Sequence, residues 1–229
     1  MTMLIASNFD EASGNVLNYG SAGDWSLAGS TCTRVAGGHT DKGLQDGGNN
    51  EAKPPNVGQT NNRTFMFWLK GPLPSLDWVL EFYNVAGDTG QWGLLVQSGL
   101  LRVRGRNTAE TVVPADITIP ADINTVYHHI AGTFDGSNIR AYLDGALVTT
   151  AALSGTLKTD GVLQIMGYSV STIIDDLRIY DEALDQATIS TLMNTPVGVS
   201  AVPEALAWNG SAWVSSSMRY WNGSAWSAS

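Results

Sequence analysis

Between Val126 and Val148 the chain alternates with a period of two. Val126, His128, Ile130 and Phe134 fall on one side, and Tyr127, His129, Ala131 and Thr133 on the other, which is the pattern of a strand with bulk on both faces. Asp135-Gly136 is a turn signal, after which Ile139, Ala141 and Leu143 alternate with Arg140, Tyr142 and Asp144. Asp144-Gly145 is a two-residue hairpin signal that sets Leu143 opposite Ala146. These turns predict a three-stranded meander. Further strand-length apolar runs lie at Arg63–Lys70, Trp78–Tyr83, Gln91–Gln97, Leu100–Arg104, Val162–Met166 and Ile173–Tyr180. One segment has helical spacing instead: Asp185 can cap it, Ala187, Ile189, Leu192 and Met193 follow, and Pro196 lies just beyond. Many strands and one short helix near 185–193 predict an all-β antiparallel sandwich. The stretch from Gly37 to Gln59, with paired glycines and prolines, reads as a long loop suited to contacts with a partner or ligand.

Beyond Pro196 the pattern changes. Residues 196–203 read as a linker, and Trp208-Asn209-Gly210-Ser211-Ala212-Trp213 then recurs as Trp221-Asn222-Gly223-Ser224-Ala225-Trp226. Each Asn-Gly predicts a hairpin with a two-residue turn. That register sets Trp208 opposite Ser211 and Leu206 opposite Trp213, with Trp208 and Trp213 as a diagonal pair on one face. A small C-terminal double β-hairpin cannot bury enough surface to fold alone. Trp208, Trp213, Trp221 and Trp226 are therefore expected at an interface, with residues 204–229 a docking or oligomerisation element beside a sandwich over residues 1–195.

Composition narrows the function. The chain has 229 residues, 14% of them charged, 25 glycines and a net charge of −9, which suits strands and tight turns and leaves no basic surface for nucleic acid. Anionic membranes and anionic polysaccharides are disfavoured for the same reason. No apolar run approaches the roughly 20 residues of a membrane helix. The N-terminus shows no signal peptide, and Cys32 as the only cysteine rules out an intramolecular disulfide or a thiolate zinc site. Synthesis in a reducing cytosol is the expectation.

The segment Tyr127-His128-His129-Ile130-Ala131-Gly132-Thr133-Phe134-Asp135-Gly136, followed by Arg140-Ala141-Tyr142-Leu143-Asp144-Gly145, resembles the central hairpin of LamG-like domains of the concanavalin A-like lectin/glucanase superfamily. Tyr127 stands where that family usually has Trp. Ile174-Asp175-Asp176-Leu177-Arg178-Ile179-Tyr180-Asp181-Glu182-Ala183-Leu184 is similar to the family's closing strand and helix entry, and Phe9-Asp10-Glu11-Ala12-Ser13-Gly14 resembles its opening strand. The resemblance covers residues 3 to 194 and implies a jelly roll of two curved antiparallel sheets with first and last strands adjacent. The tandem hairpins resemble short elements of bacteriophage tail and fibre proteins.

Candidate chemistry is sparse. The superfamily's hydrolases resemble glycosidases that place their carboxylates on one E-x-D-x-x-E strand, and none of the six glutamates begins that pattern; Glu81 is followed by Tyr83 where the helper Asp would stand. No enzyme activity is expected. His128 and His129 point to opposite faces of a strand and suit packing or hydrogen bonding. Alternation puts Asp175 on the face of Leu177 and Ile179, in a packed layer, where a carboxylate needs a cation or hydrogen-bond donors. The resemblance implies a structural Ca²⁺ there, held with Asp10 or Glu11; the alternative is that Asp175 accepts backbone N–H bonds or pairs with an arginine. Trp25, Trp68, Trp78 and Trp92 lie in strand-like segments and read as core residues, although tryptophan also suits a sugar-stacking platform. These readings together point to a non-enzymatic structural protein of a bacteriophage particle. The expectation is a capsid decoration or tail fibre component, virion-located and homo-oligomeric, with other virion proteins or further copies of itself as partners and a host-surface glycan as a candidate ligand. The alternatives are a carbohydrate-binding module for a neutral glycan, or a divergent glycosidase.

Overall fold

The structure is a computed structural model that describes all residues except 49–50, 58–59, 85–88, 159–160, 166–169, 199–204, 209–212, 217–218, 222–225 and 229. The chain divides into two compact units, Met1–Val197 and Gly198–Ser229. In chain order the first unit contains β1 (Met3–Ser7), β2 (Thr33–Ala36), β3 (Lys42–Gly47), β4 (Asn62–Lys70), β5 (Leu76–Asn84), β6 (Thr89–Gln97), β7 (Leu100–Arg106), β8 (Val112–Thr118), β9 (His128–Asp135), β10 (Asn138–Leu143), β11 (Ala146–Ala152), β12 (Val162–Ile165), β13 (Val170–Tyr180) and α1 (Gln186–Met193). The strands form an eight-stranded sheet in the order β11-β10-β9-β4-β13-β3-β2, with β1 also on β13, and a five-stranded sheet in the order β12-β5-β6-β7-β8. Every pairing is antiparallel, and the two sheets make a jelly-roll sandwich with the opening strand on the closing one.

Period-2 patterning builds the core between the sheets. On β4, Phe65, Phe67 and Leu69 face inward; on β7, Leu101 and Val103 do the same. Trp92 is fully buried at the centre, 5.6 Å from the ring of Phe65 and 6.4 Å from that of Phe134. Gly132 lets the layers close: a Cβ there would lie 2.6 Å from both Phe65 Cζ and Val103 Cγ1. A smaller cluster on the outside of the eight-stranded sheet joins Met66, Ala131, Tyr142 and Tyr180 to Leu184 and Ile189, so α1 covers part of that face. The helix starts where the sequence signals it. Asp185 is its N-cap, its side chain accepting from Thr188 N at 2.8 Å.

The meander forms with Leu143 opposite Ala146, and Asp144 and Gly145 both have positive φ, as a type I′ turn requires. Its first strand begins at His128, leaving Val126 exposed ahead of it. Two expectations are corrected, and one strand is new. The opening strand is Met3–Ser7, not the Phe9–Gly14 segment, because Phe9 takes a φ of 60° and turns the chain while its ring fills the core. The stretch from Gly37 to Gln59 is not one loop: β3 lies inside it, and its glycines mark close approach, a Cβ on Gly43 falling 2.7 Å from Ile173 Cγ2. An edge strand, β8, carries Pro114 and escapes the apolar pattern.

The second unit contains β14 (Ala205–Trp208) paired with β15 (Trp213–Ser216), and β16 (Arg219–Trp221) paired with β17 (Trp226–Ala228). The register differs from the two-residue turn expected. Trp208 is directly opposite Trp213 and Leu206 opposite Ser215, so four residues connect the pair, another common hairpin length. Trp221 is likewise opposite Trp226. Both Asn-Gly turns lie outside the described residues.

Candidate functional site

The outside of the five-stranded sheet carries the richest chemistry. Because Leu101 and Val103 face the core, Arg102, Arg104 and Arg106 emerge together on the opposite face of β7. Arg102 Nε lies 3.3 Å from Asp116 Oδ1, and its Nη1 donates to Gln97 Oε1 at 3.1 Å. Arg106 donates to Glu110 at 2.9 Å, and Lys158 also pairs with Glu110. Arg104 differs from its neighbours in having an aromatic partner. Its guanidinium sits 5.2 Å from the centre of the Trp78 ring, and its Nε, like those of Arg102 and Arg106, is buried without a hydrogen-bond partner. Burial, then the adjacent Arg106, pushes the Arg104 pKa down, and Glu81 opposes this.

Pairing aligns a row across all five strands: Gln164, Glu81, Gly93, Arg104 and Pro114. The middle of the row has no side chain. Nearby, a Cβ on Gly90 would lie 2.4 Å from Trp78 Cζ2 and 2.7 Å from Glu81 Oε2, so the indole lies across backbone that only glycine leaves open. The result is a half-buried aromatic ring bordered by a guanidinium and a carboxylate, on a floor of glycine. The expectation that all four strand tryptophans are core is thus corrected. Trp25 and Trp92 are buried in the core, whereas Trp68 and Trp78 are half-buried and lie outside the inter-sheet cluster. Two sequence signals mark the face: the i, i+2 spacing of the three arginines, and Gly90 and Gly93 within a strand.

The carboxylates proposed for calcium are arranged differently from the sequence expectation. Asp175 is fully buried, but it pairs with Trp68 on the outer face of the eight-stranded sheet, away from Leu177 and Ile179. A bulge at Asp176, with φ of 50°, inserts one residue and reverses the alternation. Asp175 Oδ2 accepts from Thr40 N at 2.8 Å and from Thr40 Oγ1 at 3.3 Å, and Oδ1 from Asp176 N at 2.7 Å. Its pKa is pushed up to about 8, first by burial; the Thr40 N–H opposes this, and Asp176 adds to it. Asp10 accepts from Lys42 N at 3.0 Å, while Lys42 Nζ donates to the Asp10 carbonyl at 2.8 Å. Glu11 is engaged elsewhere, with Arg34 at 3.1 Å and with Leu17 N. Among the described residues no three His, Cys, Asp or Glu side chains form a metal-sized group. The donor set therefore does not fit a calcium ion as it stands: the Asp175 and Asp10 carboxylates accept from backbone N–H groups and Thr40 Oγ1, and the Lys42 ammonium holds the Asp10 carbonyl.

The two histidines take separate roles. His128 hydrogen-bonds Asp144 at 2.8 Å and Asp122 at 2.9 Å; burial lowers its pKa, but these two carboxylates outweigh that and raise it. His129 is fully buried edge-on to Trp68, neither ring nitrogen has a partner, and burial pushes its pKa down to about 3. His39 stacks on the same indole at 3.7 Å. Trp208, Trp213, Trp221 and Trp226 lie in the second unit at opposed strand positions.

A family model described as the concanavalin A-like lectin/glucanases superfamily matches residues 46–190. No curated protein matches the chain. Among solved structures, the binding domain of Paraclostridial Mosquitocidal Protein 1 is similar, with a TM-score of 0.64 and 13% identity over 84% of this chain and 52% of that one. The Botulinum neurotoxin serotype D binding domain gives a TM-score of 0.64 at 9% identity, covering 83% of this chain and 50% of that one. A serotype D ligand binding domain in complex with N-acetylneuraminic acid gives 0.62 at 9% identity, with the same coverage. The chain spans about half the length of these structures, and the likeness is one of fold.

Proposed function

Because the chain belongs to the concanavalin A-like lectin/glucanases superfamily, we propose that it is a non-catalytic recognition protein whose sandwich binds a neutral glycan on the outer face of the five-stranded sheet. The observation that carries this reading is Trp78, a half-buried indole outside the core, laid on glycine and bordered by Arg104 and Glu81. A flat apolar ring edged by hydrogen-bonding groups suits a pyranose. The charges of the face largely compensate one another, Arg102 with Asp116 and Arg106 with Glu110, which favours a neutral ligand over an anionic one. Across the sheet from Glu81 stand Gln164 and Gly93, so no second carboxylate opposes it in the manner of a glycosidase. The toxin binding domains of similar fold, one of them in complex with N-acetylneuraminic acid, support a surface-recognition role. A glycan array followed by titration calorimetry tests the reading. Trp78→Ala is expected to abolish whatever binding the intact chain shows. Binding unchanged in that variant would move the site elsewhere, and no binding to any glycan would end the reading.

The tandem hairpins favour a second, compatible reading: incorporation into a bacteriophage particle as a capsid or tail component. Two copies of one motif set Trp opposite Trp in a unit of four short strands, too small for a core of its own. Deleting residues 204–229 is expected to abolish incorporation while the sandwich keeps its melting temperature; unchanged incorporation would remove the hairpins from the account.

A further inference from the structure

We propose that the Trp78 face selects neutral sugars carrying an acetamido group, held between Glu81 and Arg104 above Gly93 with its methyl against the indole. This rests on the glycan reading above and names the sugar class within it. Three side chains define the place. A register shift between Trp78 and Leu80 sends Val79 and Leu80 both into the core. Trp78 and Glu81 therefore share the outer face, although strict alternation would separate them. A Cβ at Gly90 would collide with Trp78 Cζ2 and lie 2.7 Å from Glu81 Oε2, so the carboxylate stands at the edge of the ring. From the other side, Arg104 brings its guanidinium to 5.2 Å from the ring centre.

Glu81 on β5 and Arg104 on β7 flank Gly93 in one row of the sheet. Two strand spacings put their backbones about 10 Å apart. No side chain rises between them, and none can, because a Cβ on Gly93 would collide with the Leu80 carbonyl. Arg102 and Arg106 on the same strand are paired with Asp116 and Glu110. Among the described residues nothing accepts a hydrogen bond from the Arg104 guanidinium. Glu81 favours the charged form of Arg104, which puts the two heads within electrostatic reach.

A carboxylate facing a guanidinium across a glycine narrows the ligand. A carboxylate on the sugar would be repelled by Glu81, and an ammonium by Arg104. A hydroxyl can bond to either head but does not span both. An acetamido group is neutral, planar and trans, so its N–H and C=O point in opposite directions. Set over Gly93, its N–H donates to the Glu81 carboxylate and its C=O accepts from the Arg104 guanidinium, two charge-assisted bonds along one row. The methyl group remains, and the Trp78 ring supplies the apolar surface for it.

The test uses the full chain on an array of matched glycans that differ only in an acetamido for a hydroxyl group, with titration calorimetry on the tightest pair. The acetamido member is expected to bind about tenfold more tightly or better, the contribution of one hydrogen bond to a charged group. The deacetylated amino sugar is a third arm. It should bind no better than the hydroxyl form, even though the chain's net charge of −9 attracts cations. Arg104→Leu is expected to remove the preference, and Trp78→Ala to remove binding of every form. Should Arg104→Leu fold poorly, the ratio measured on the unaltered chain decides alone. Equal binding of the pair, a preference for the hydroxyl or amine form, or a preference that survives Arg104→Leu would overturn the proposal. In those cases loss of binding in Trp78→Ala would still uphold the glycan reading, whereas an array with no binding at all would end both.

Discussion

Replacing Gly132 by alanine measures how tightly the two sheets are packed. The added methyl would stand 2.6 Å from Phe65 Cζ and from Val103 Cγ1, whereas ordinary contacts begin near 3.4 Å, so neighbours must retreat by most of an ångström. Neither side has room. Phe65 and Val103 are fully buried, and Phe65 is itself held against Trp92 and Phe67. Overpacking of this kind costs about 1–3 kcal/mol. Removing a strand glycine returns roughly 0.5–1 kcal/mol through the unfolded chain. The net expectation is a loss of about 1–2 kcal/mol, read as a lower urea midpoint with an unchanged slope. Gly23→Ala is the control, because nothing lies within 4 Å of its Cβ position; it should leave the midpoint unchanged or slightly raised. A Gly132→Ala midpoint at or above that of the parent would refute the claim that the sheets meet at this glycine.

Other outcomes follow from the same structure. Asp175 in the folded chain has a pKa raised to about 8 from 3.8, so the folded state holds a proton that the unfolded state releases. Its contribution to stability is full below pH 4 and lost as pH rises through 8; Asp175→Asn should flatten the difference in stability between pH 5 and 8, and a parallel pair of curves would contradict it. Calcium or a chelator at pH 7 should leave the melting temperature unchanged, because Asp175 already accepts from Thr40 and Asp176; a calcium-dependent rise would show that the carboxylates rearrange around the ion. Asp185→Ala removes the bond to Thr188 N and should lower the midpoint of chemical denaturation, with no effect on glycan binding.

The fold was legible wherever one local rule governed a segment. Alternation and the Asp144-Gly145 turn gave the meander in its true register, and Asp185 with Pro196 bounded the only long run of helical spacing. What was not legible depended on distant neighbours. Nothing within Lys42–Gly47 announces a strand, because its glycines are dictated by Ile173 and Thr31, which press on it from elsewhere in the chain. The facing of Asp175 was misread because alternation assumes an unbroken ladder, and one residue with positive φ at Asp176 defeats it. Trp78 looked like a core residue because bulk in a strand cannot by itself say which face it occupies. The arginines of β7 answer that question, since their alternation with Leu101 and Val103 fixes the outer face of the whole sheet.

The pairing of β1 with β13 also governs how the protein is made. The strands that flank β13, namely β1, β3 and β4, all precede it by long stretches of chain, while β5 to β8 and β9 to β11 join sequence neighbours by hairpins. On the ribosome the hairpin groups can form as they emerge, but the larger sheet stays split until Tyr180 has been synthesised. Until then Ile5 and Phe65 lack their shared neighbour Ile179, and the apolar faces of two separate strand groups stand open together. The most aggregation-prone moment of this protein's life is therefore translation, and a truncation anywhere before β13 should yield insoluble product instead of a smaller domain.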